Sequence, residues 1–495
     1  MMVCGQITAT VCTWSLMATI DRPRSVELVY VDLDGTLTTS DSLAEGVVAL
    51  IREHPVSLLK LPWWLMRGKA HFKARVASAG ALDPSALPYR YDLLSDLQAW
   101  RTAGTELVLA TAADRRVAAS VADHLGLFDS VLSSDGNNNL RGREKLAAIQ
   151  THAGGRSYGY VGNARADLPI LAAADAAFIA GPNAASLRKR LDDEPPVQIY
   201  AGRKSRFADY MRVLRPRQWL KNLLLFVPLI ASQQLSDSSS FGRVVVAFVS
   251  FSLVASAGYA FNDILDIQAD RRHPTKAARP VASGALSINA AAFVSLGLLG
   301  FGMAVAAFLP PGFRTALAAY LAVSIAYTVA LKSLLLLDVV TLASVFVLRV
   351  VAGAEAIEVT TSFWLLAFSL FFFASLALTK RCSELHNLVT GGGDSSHGRA
   401  YRIGDLAILQ TIGASAGVVS VLVLALYIQD PASEVIYSRP EFLWLLTPLL
   451  LYWISRLWIK VGRGEMSEDP VFFALTDAAS WAVTVLAAGV ILLAT

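Results

Sequence analysis

Three aspartates with helical spacing are the most distinctive chemical feature of this sequence. Asn262 and Asp263 are followed by Asp266 and then by Asp270. Residues three and four apart lie on the same face of a helix, so these side chains are expected to crowd together. Carboxylates at short distance repel each other unless a cation lies between them. The spacing therefore predicts that Asp263, Asp266 and Asp270 bind a divalent metal ion.

A basic run follows the aspartates and includes Arg272, Lys276 and Arg279. Mg²⁺ usually keeps several waters and is held by one or two protein carboxylates together with substrate phosphates. We therefore predict a diphosphate site with Mg²⁺ as its cofactor, in which Asn262 and the three cations bind phosphate oxygens.

A second pair of acids lies near the start of the chain. Residues 26–31 are mostly apolar, as in a buried strand, and they lead directly into Asp32 and Asp34. Open α/β sheets bind ligands in the crevice beyond the carboxyl ends of their strands. Both carboxylates are therefore expected to face a ligand.

The run DLDGT at 32–36 resembles the first motif of the haloacid dehalogenase (HAD) superfamily. The resemblance implies a Mg²⁺-dependent phosphatase in which Asp32 is the nucleophile and Asp34 is the general acid and base. It also implies that Thr111, which follows a second strand-like run, binds the phosphoryl group and that Lys145 neutralises its charge. A helical insertion at about 42–94 has the position of a cap.

The last motif of this domain, GNARAD at 162–167, departs from the superfamily pattern. An aspartate usually stands where this chain has Asn163, and the metal ligands implied here are Asp32, Asp34, Asn163 and Asp167. An amide brings no negative charge, so weaker Mg²⁺ binding is expected. Two functions stay open, an active phosphatase and a domain used for folding, docking or binding a phosphorylated ligand.

The composition predicts that most of the chain lies in a membrane. Hydrophobic residues make up 54% and charged residues 17%, against about 25% charged residues in soluble proteins. A membrane helix needs about 20 mostly apolar residues. Nine apolar blocks approach this length, at 219–232, 244–261, 286–309, 316–331, 334–352, 362–379, 406–428, 442–459 and 472–494. The first block is short.

These patterns predict a multidomain fold, with an α/β HAD-like Rossmannoid domain and its cap followed by an all-α membrane domain of nine transmembrane helices. Residues 1–21 stay unassigned and lack the basic region of a signal peptide. The HAD-like domain is predicted at 22–200, a basic linker at 201–218 and the membrane domain at 219–495. The linker cations are expected to bind anionic head groups; a substrate role for Arg215 or Lys221 is the alternative.

Lysine and arginine are concentrated in alternate loops between the apolar blocks. One set of loops carries Arg271, Arg272, Lys276, Arg279, Lys332, Lys380, Arg381, Arg399, Arg402, Lys460 and Arg463. The other set carries Arg243, Arg314 and Arg439. Because basic loops face the cytoplasm, we predict a multi-pass protein of the cytoplasmic (inner) membrane. Its N-terminal domain is expected in the cytoplasm and its C-terminus outside.

The cysteines and the net charge narrow the chemistry. Cys4, Cys12 and Cys382 are too few and too dispersed for a disulfide framework or a cysteine-based zinc site. Any metal must therefore have oxygen ligands. A net charge of +4 is small for 495 residues, so nucleic acid is not an expected partner.

The sequence from Asn262 onward, NDILDIQADRRHPTKAARPVASG, resembles the first aspartate-rich motif of the UbiA superfamily of intramembrane prenyltransferases. Nine predicted spans with a cytoplasmic site agree with that fold. The resemblance covers roughly 214–495 and implies that Asp263 and Asp266 are catalytic residues that bind Mg²⁺.

Members that use a prenyl diphosphate typically carry a second acidic cluster after the sixth span. Here that region has Lys380, Arg381 and a single acid, and the next loop has Arg399 and Tyr401. One acidic cluster facing several cations is suited to two anionic substrates. Four further polar residues, in and beside the fourth and fifth apolar blocks, complete the set that we compare with known branches of the superfamily: Tyr327, Lys332, Asp338 and Arg349.

This pattern is similar to the decaprenyl-phosphate phosphoribosyltransferase branch of the superfamily. The resemblance implies transfer of phosphoribose from phosphoribosyl pyrophosphate to a polyprenyl phosphate. The cations that would hold phosphates are Lys332, Arg349, Lys380, Arg381 and Arg399, together with Tyr401. A HAD-like phosphatase on the same side of the membrane would then remove the 5-phosphate and leave polyprenyl phosphoribose. Tethering raises the effective concentration of such a domain to about millimolar.

Several alternatives stay open. The membrane domain could instead transfer a prenyl group to an aromatic or other small acceptor, with the HAD-like domain as a non-catalytic docking module. Arg349 lies inside an apolar block, where a charge is usually functional, and pairing with Glu355 is its structural alternative. Lys332 could instead be a topology anchor, that is, a basic loop residue that only fixes the orientation of the protein in the membrane. In the cap, Trp63 and Trp64 either pack internally or lie among lipid head groups. A homo-oligomer is compatible with the sequence.

Overall fold

The computed structural model describes residues 26–80, 82–135, 138–191, 197–391, 400–429, 437–466 and 470–494. Two compact units divide the chain, the first running to Lys204 and the second beginning at Ser205. Each unit has its own buried apolar clusters, and each is described separately below.

A parallel sheet of six strands forms the centre of the first unit. The strands are β1 Leu28–Val31, β2 Glu106–Asp114, β3 Ser130–Ser134, β4 Tyr158–Gly162, β5 Ala176–Gly181 and β6 Val197–Ala201. Their order in the sheet is β3-β2-β1-β4-β5-β6, so β1 is central and pairs with β2 and β4. Strands buried on both faces are expected to be almost continuously apolar, and all four residues of β1 are buried. The predicted α/β domain is confirmed.

In the described part of the first unit, eight helices accompany this sheet. They are α1 Ser42–Glu53, α2 Leu61–Met66, α3 Lys69–Ala79, α4 Tyr91–Thr102, α5 Arg115–Leu125, α6 Arg143–Ala153, α7 Leu168–Ala173 and α8 Ala184–Arg188. Side chains on one face of β1, such as Val29, pack with α5, and those on the other face, such as Tyr30, pack with α6. The two faces of the sheet are therefore covered by different helices.

The insertion predicted to form a cap is helical and contains α1, α2 and α3, with a 3₁₀ segment at Pro55–Lys60. Trp64 is buried against Leu50 and Val76. Trp63 and Met66, in contrast, are exposed. Internal packing thus accounts for Trp64 and leaves the exposure of its neighbours unexplained.

The second unit is helical. Its helices are α9 Phe207–Leu214, α10 Val227–Ala231, α11 Ser238–Leu265, α12 Ile267–Arg272, α13 Ile288–Ala306, α14 Pro311–Val329, α15 Leu337–Ala356, α16 Phe363–Gly391, α17 Leu406–Ile428, α18 Leu446–Gly462, α19 Pro470–Thr476 and α20 Ala478–Ala494. Among the described residues, seven helical segments are long and apolar enough to cross a membrane. They correspond to the second through eighth predicted blocks.

The first and last predicted blocks do not form helices of that length, so the count of nine is not confirmed. The first block divides between a 3₁₀ segment, Pro216–Phe226, and the five-residue α10. The last is interrupted at Asp477, whose carboxylate accepts a hydrogen bond from the Ser480 amide at 2.9 Å and so caps α20. A capping aspartate favours a helix start at that point, which leaves α20 with 17 residues.

Candidate active sites

The three aspartates of the second unit lie at a break between two helices. Helix α11 ends at Leu265, and α12 starts at Ile267. Asp266 lies between them with φ −93° and ψ 11°, outside the regular helical range. The prediction of one continuous helical face is therefore wrong, because the turn at Asp266 directs its carboxylate to partners different from those of its neighbours.

Two arginines neutralise Asp263 and Asp270. Asp263 is 2% exposed and accepts hydrogen bonds from Arg215 and, at 3.0 Å, from Arg279. Arg279 also contacts Asp270 at 2.5 Å. The basic run was predicted to face phosphates, and the structure places this member of it between two of the acids.

The third aspartate has a lysine partner from a distant part of the chain. Lys332 Nζ lies 2.7 and 3.0 Å from the two carboxylate oxygens of Asp266. Both side chains stay about one quarter exposed, at 26% and 21%. A topology anchor alone does not explain this contact, because the lysine lies directly against a predicted catalytic acid.

Among the residues that the structure describes, no three His, Cys, Asp or Glu side chains are grouped to hold a metal. Mg²⁺ is compatible with fewer protein ligands, because one or two carboxylates with substrate phosphates normally suffice. Asp263, in the last turn of α11, and Asp266, directly after it, provide two carboxylates of this kind. Asp270, the third predicted metal ligand, is paired with Arg279.

Arg215 belongs to the basic linker, where the sequence favoured a lipid-binding role. It has a left-handed backbone conformation, φ 51° and ψ 60°, at the C-cap of α9. This conformation is uncommon outside glycine. It lies 48 residues before Asp263, and no local pattern predicts their contact.

A buried polar network lies where α15 and α16 meet. Arg381, 1% exposed, contacts Asp338 at 2.6 Å and Glu384 at 2.7 Å. Its guanidinium also donates to Tyr327 at 3.1 Å, and the Tyr401 hydroxyl donates to Asp338. Arg381 and Tyr401 were predicted to bind phosphate, and both are engaged here by protein groups. Two carboxylates therefore share the Arg381 guanidinium, and both acids are paired within the protein.

Arg349 is buried among aromatic rings. Its guanidinium donates to Asn222 Oδ1 at 2.9 Å and to the Tyr320 hydroxyl at 3.3 Å. The Tyr320 ring lies 4.9 Å from its central carbon. Glu355, the alternative partner, instead lies against Gly312. Arg349 also packs on Phe251 of α11, which lies twelve residues or about 18 Å along that helix from Asp263, so the structure does not bring it to the aspartates.

The other predicted residues are distributed as follows. Arg272 is exposed, whereas Asn262, Lys276 and Lys380 are half-buried. Arg399 lies outside the described residues.

The first unit brings its predicted catalytic residues together at the carboxyl end of β1. Lys145 Nζ lies 2.8 Å from Asp32 Oδ1 and 3.1 Å from the Tyr160 hydroxyl. Both partners of this ion pair are at least nine-tenths buried. Burial alone would lower the pKa of Lys145, but the carboxylates of Asp32 and Asp167 outweigh it and raise that pKa. Thr111 is fully buried and lies within β2, because that strand continues to Asp114 beyond its predicted end.

Asp34 occupies a different environment from Asp32. Its Oδ1 accepts a hydrogen bond from the Ser42 amide at 2.7 Å, at the start of α1. Burial, with the nearby carboxylates of Asp41 and Asp32, raises the pKa of Asp34 to about 7. A carboxyl group with such a pKa exchanges protons near neutral pH, as a general acid and base requires.

The last motif positions Asn163 beside the first. Gly35 has φ +74°, and a side chain there would collide with the Asn163 amide. Asp167 accepts hydrogen bonds from the Asn163 and Ala164 amides at 3.2 and 2.9 Å and from Tyr160 at 3.0 Å. Asp167, predicted to bind metal, therefore also fixes this loop, and Asp32, Asp34 and the Asn163 amide remain as oxygen donors for Mg²⁺.

Lys73, a cap residue, approaches this site without having been predicted there. Its Nζ donates to the Ala112 carbonyl at 2.7 Å and to Asn139 Oδ1 at 3.0 Å. Asp34 and Lys73 line the same cleft between cap and sheet. Burial lowers the pKa of Lys73. The only sequence signal was its place among the cap's basic residues.

Comparison with known proteins identifies the families of both domains. Residues 223–483 match the model of the UbiA prenyltransferase family, and residues 29–172 match that of the haloacid dehalogenase-like hydrolases. The chain belongs to the UbiA prenyltransferase family. It combines a UbiA domain with an N-terminal HAD-like domain.

One relative of this UbiA protein covers both domains, and others cover only part of the chain. Uncharacterized protein y4nM of Sinorhizobium fredii is 34% identical over 94% of this chain and 90% of its own length. Decaprenyl-phosphate phosphoribosyltransferase of Mycobacterium tuberculosis is 32% identical over 60% of this chain and 96% of its own length. A UbiA homolog from Archaeoglobus fulgidus, solved bound to GPP and Mg²⁺, is 16% identical with a TM-score of 0.45, covering 57% of this chain and 96% of that one.

Proposed function

We propose that the membrane domain transfers 5-phosphoribose from phosphoribosyl pyrophosphate to a polyprenyl phosphate at the cytoplasmic face of the inner membrane. The HAD-like domain then removes the 5-phosphate. Relatives named decaprenyl-phosphate phosphoribosyltransferase, which this chain matches over 96% of their length, support this substrate class.

One structural observation carries the choice of donor and acceptor. Asp263 and Asp266 are bracketed by Arg215, Arg279 and Lys332, so carboxylates and phosphate-binding cations alternate within one site. The acids near α16, in contrast, share Arg381. A site in which three cations face one pair of acids suits two anionic substrates better than one prenyl diphosphate.

The residues of the site divide the transfer reaction between them. Asp263 and Asp266 would hold Mg²⁺, which when bound neutralises charge on a departing pyrophosphate. Lys332 and Arg279 exchange their carboxylate partners for substrate phosphate oxygens and orient the donor. A phosphate oxygen of the lipid attacks the anomeric carbon, the bond from that carbon to pyrophosphate breaks, and the pyrophosphate leaves with its electron pair.

The HAD-like site divides its own reaction similarly. A carboxylate oxygen of Asp32 attacks the phosphorus while Lys145 neutralises charge on the phosphoryl oxygens. Asp34 donates a proton to the departing sugar oxygen and then accepts one from the water that hydrolyses the acyl phosphate. Asp32 and Asn163 would hold Mg²⁺ beside that phosphoryl group, while the Asp34 carboxyl carries out the proton transfers.

Pyrophosphate release by the purified, reconstituted protein tests this proposal. We expect release that requires both polyprenyl phosphate and phosphoribosyl pyrophosphate, and that stops when Mg²⁺ is chelated. A prenyl diphosphate offered with an aromatic acid should give none. The reverse pattern would identify a prenyltransferase acting on a small acceptor and would overturn the proposal.

Lys332→Gln is expected to raise the KM for phosphoribosyl pyrophosphate by about tenfold, since a hydrogen bond to a charged group contributes about 1.5–3 kcal/mol. Lys332→Arg should retain most of the affinity, and Lys460→Gln, which removes a lysine paired with Asp477 at 3.7 Å, serves as the matched control. Initial rates against donor concentration measure the effect. An unchanged KM in Lys332→Gln would leave this lysine as a topology anchor.

Lys73→Gln is expected to lower phosphate release by about tenfold through loss of one charged contact, with phosphoribosyl transfer unchanged. Arg75→Gln, an exposed position on the same helix, is the matched control. Inorganic phosphate and pyrophosphate are measured separately in one reaction. Equal phosphate release from both variants would mean that Lys73 has no part in substrate binding.

A further inference from the structure

A short segment of the cap exposes an unusual number of large apolar side chains. Between Val56 and Met66 these are Val56 at 71%, Leu58 at 50%, Leu59 at 80%, Trp63 at 52%, Leu65 at 53% and Met66 at 85% exposure. Trp64 from the same segment is buried and anchors it to the cap. Soluble surfaces seldom expose contiguous apolar patches without a partner.

The charged side chains within this segment have one sign. Residues 54–82 contain lysine and arginine but neither aspartate nor glutamate. Lys60, Arg67 and Lys69 are exposed, and the Arg67 guanidinium lies 3.7 Å from the centre of the Trp63 ring. The cap surface, defined as the six apolar residues with these three cations, is therefore both apolar and basic.

We propose that the cap surface binds the anionic head-group layer of the membrane that the second unit spans. Tryptophan, aliphatic side chains and basic residues in one short segment are the combination that lies at lipid interfaces. A surface that carries cations and no acids attracts anionic lipid. The same charges would oppose binding between the cap surfaces of two copies. The chain continues from the first unit into the seven apolar helices described in the second, so the cap surface is tethered to the membrane in which those helices lie.

Membrane contact at this surface has a consequence for the cleft. Helix α3 begins three residues after Met66 and carries Lys73, which reaches the carbonyl of Ala112. Binding of the cap surface to lipid therefore presents the cleft to groups attached to lipid. This consequence rests on the proposed phosphatase, whereas the membrane contact itself does not.

The test uses the full chain reconstituted in vesicles, with a fluorophore sensitive to polarity on a single introduced cysteine. Cys4 and Cys12 are replaced by serine, and Cys382 is retained because it is fully buried. Met66→Cys and Leu59→Cys probe the cap surface. Gln150→Cys is the control, because it is exposed on α6, which covers the opposite face of the sheet from α5. Arg116 of α5 contacts Ala74 of the cap helix α3.

In vesicles of anionic lipid with brominated acyl chains, emission from positions 66 and 59 is expected to fall at least about twofold, since interfacial apolar residues reach the acyl boundary. Emission from position 150 should not change. The triple variant Lys60→Gln, Arg67→Gln, Lys69→Gln should reduce the quenching, as should purely zwitterionic lipid.

Emission typical of water at positions 66 and 59 would overturn the proposal. An apolar emission without quenching would also overturn it, because protein, either the chain's own second unit or another copy, would then cover the surface. Equal quenching in zwitterionic lipid would refute the choice of an anionic surface. Pyrophosphate release measured on the same samples keeps failure of this proposal distinct from failure of the proposed transferase.

Discussion

Asp263→Asn is expected to reduce phosphoribosyl transfer by about 10³-fold, because metal-assisted charge neutralisation contributes several kcal/mol and each 1.4 kcal/mol is tenfold in rate. Asparagine keeps the size of the side chain but loses the charge. The change also deprives Arg215 and Arg279 of a shared anion, so both guanidinium groups repel each other in the free site. Pyrophosphate release under saturating substrates measures the loss.

Glu358→Gln is the matched control for this charge removal. Glu358 belongs to the same unit, and its carboxylate pairs with Arg243 at 2.8 Å on an exposed surface. Exposed pairs contribute little to stability, so this variant should keep full activity. Asp263→Asn with normal turnover would exclude the aspartate from metal and pyrophosphate binding. Thermal unfolding of both variants separates loss of chemistry from loss of fold.

Asp32→Asn is expected to abolish release of inorganic phosphate, with a loss of at least about 10³-fold, while pyrophosphate release continues. The nucleophile forms the covalent intermediate, and an amide cannot replace it. Removing the charge also leaves Lys145, which is 2% exposed, without its nearest anion. The lipid product should then retain its 5-phosphate.

Asp34→Asn provides an independent variant if the first one misfolds, because Asp34 is half-buried and lies outside the Lys145 ion pair. General acid and base catalysis contributes about 10²–10⁴-fold, so phosphate release should again fall sharply. Phosphate release that survives in both variants would remove the HAD-like domain from this chemistry and favour a docking role.

The sequence predicted what depends on local pattern. The DLDGT run after an apolar strand correctly indicated that Asp32 lies at the carboxyl end of β1, where Lys145 joins it. In the described part of the chain, seven of the apolar blocks lie in helical segments of membrane length. Hydrophobic length is a property of the chain itself, so it is readable without tertiary structure.

Contacts between distant residues were beyond such patterns. Arg215 and Lys332 reach the aspartates from other parts of the chain, and both are equally explained by membrane topology when read alone. Arg381 was expected to face substrate, but the position of Asp338 at the start of α15 draws it into a buried pair. Ionic partners are selected by packing, and packing is not encoded in the spacing of neighbouring residues.

The turn at Asp266 is a subtler case. Spacing of three and four residues predicted one helical face, and hydrogen bonds from the Asp266 and Asp270 amides to carbonyls four residues earlier do persist through this region. The backbone nevertheless departs from helical ψ at Asp266. Asp266 therefore faces Lys332, whereas Asp263 and Asp270 share Arg279.

Mass spectrometry of the lipid formed from polyprenyl phosphate, phosphoribosyl pyrophosphate and Mg²⁺ tests the central claim most directly. The wild-type protein is expected to yield polyprenyl phosphoribose, and Asp32→Asn should yield the same lipid with one additional phosphate. Unchanged polyprenyl phosphate in both reactions, with a prenylated acceptor appearing when a prenyl diphosphate is supplied, would contradict it.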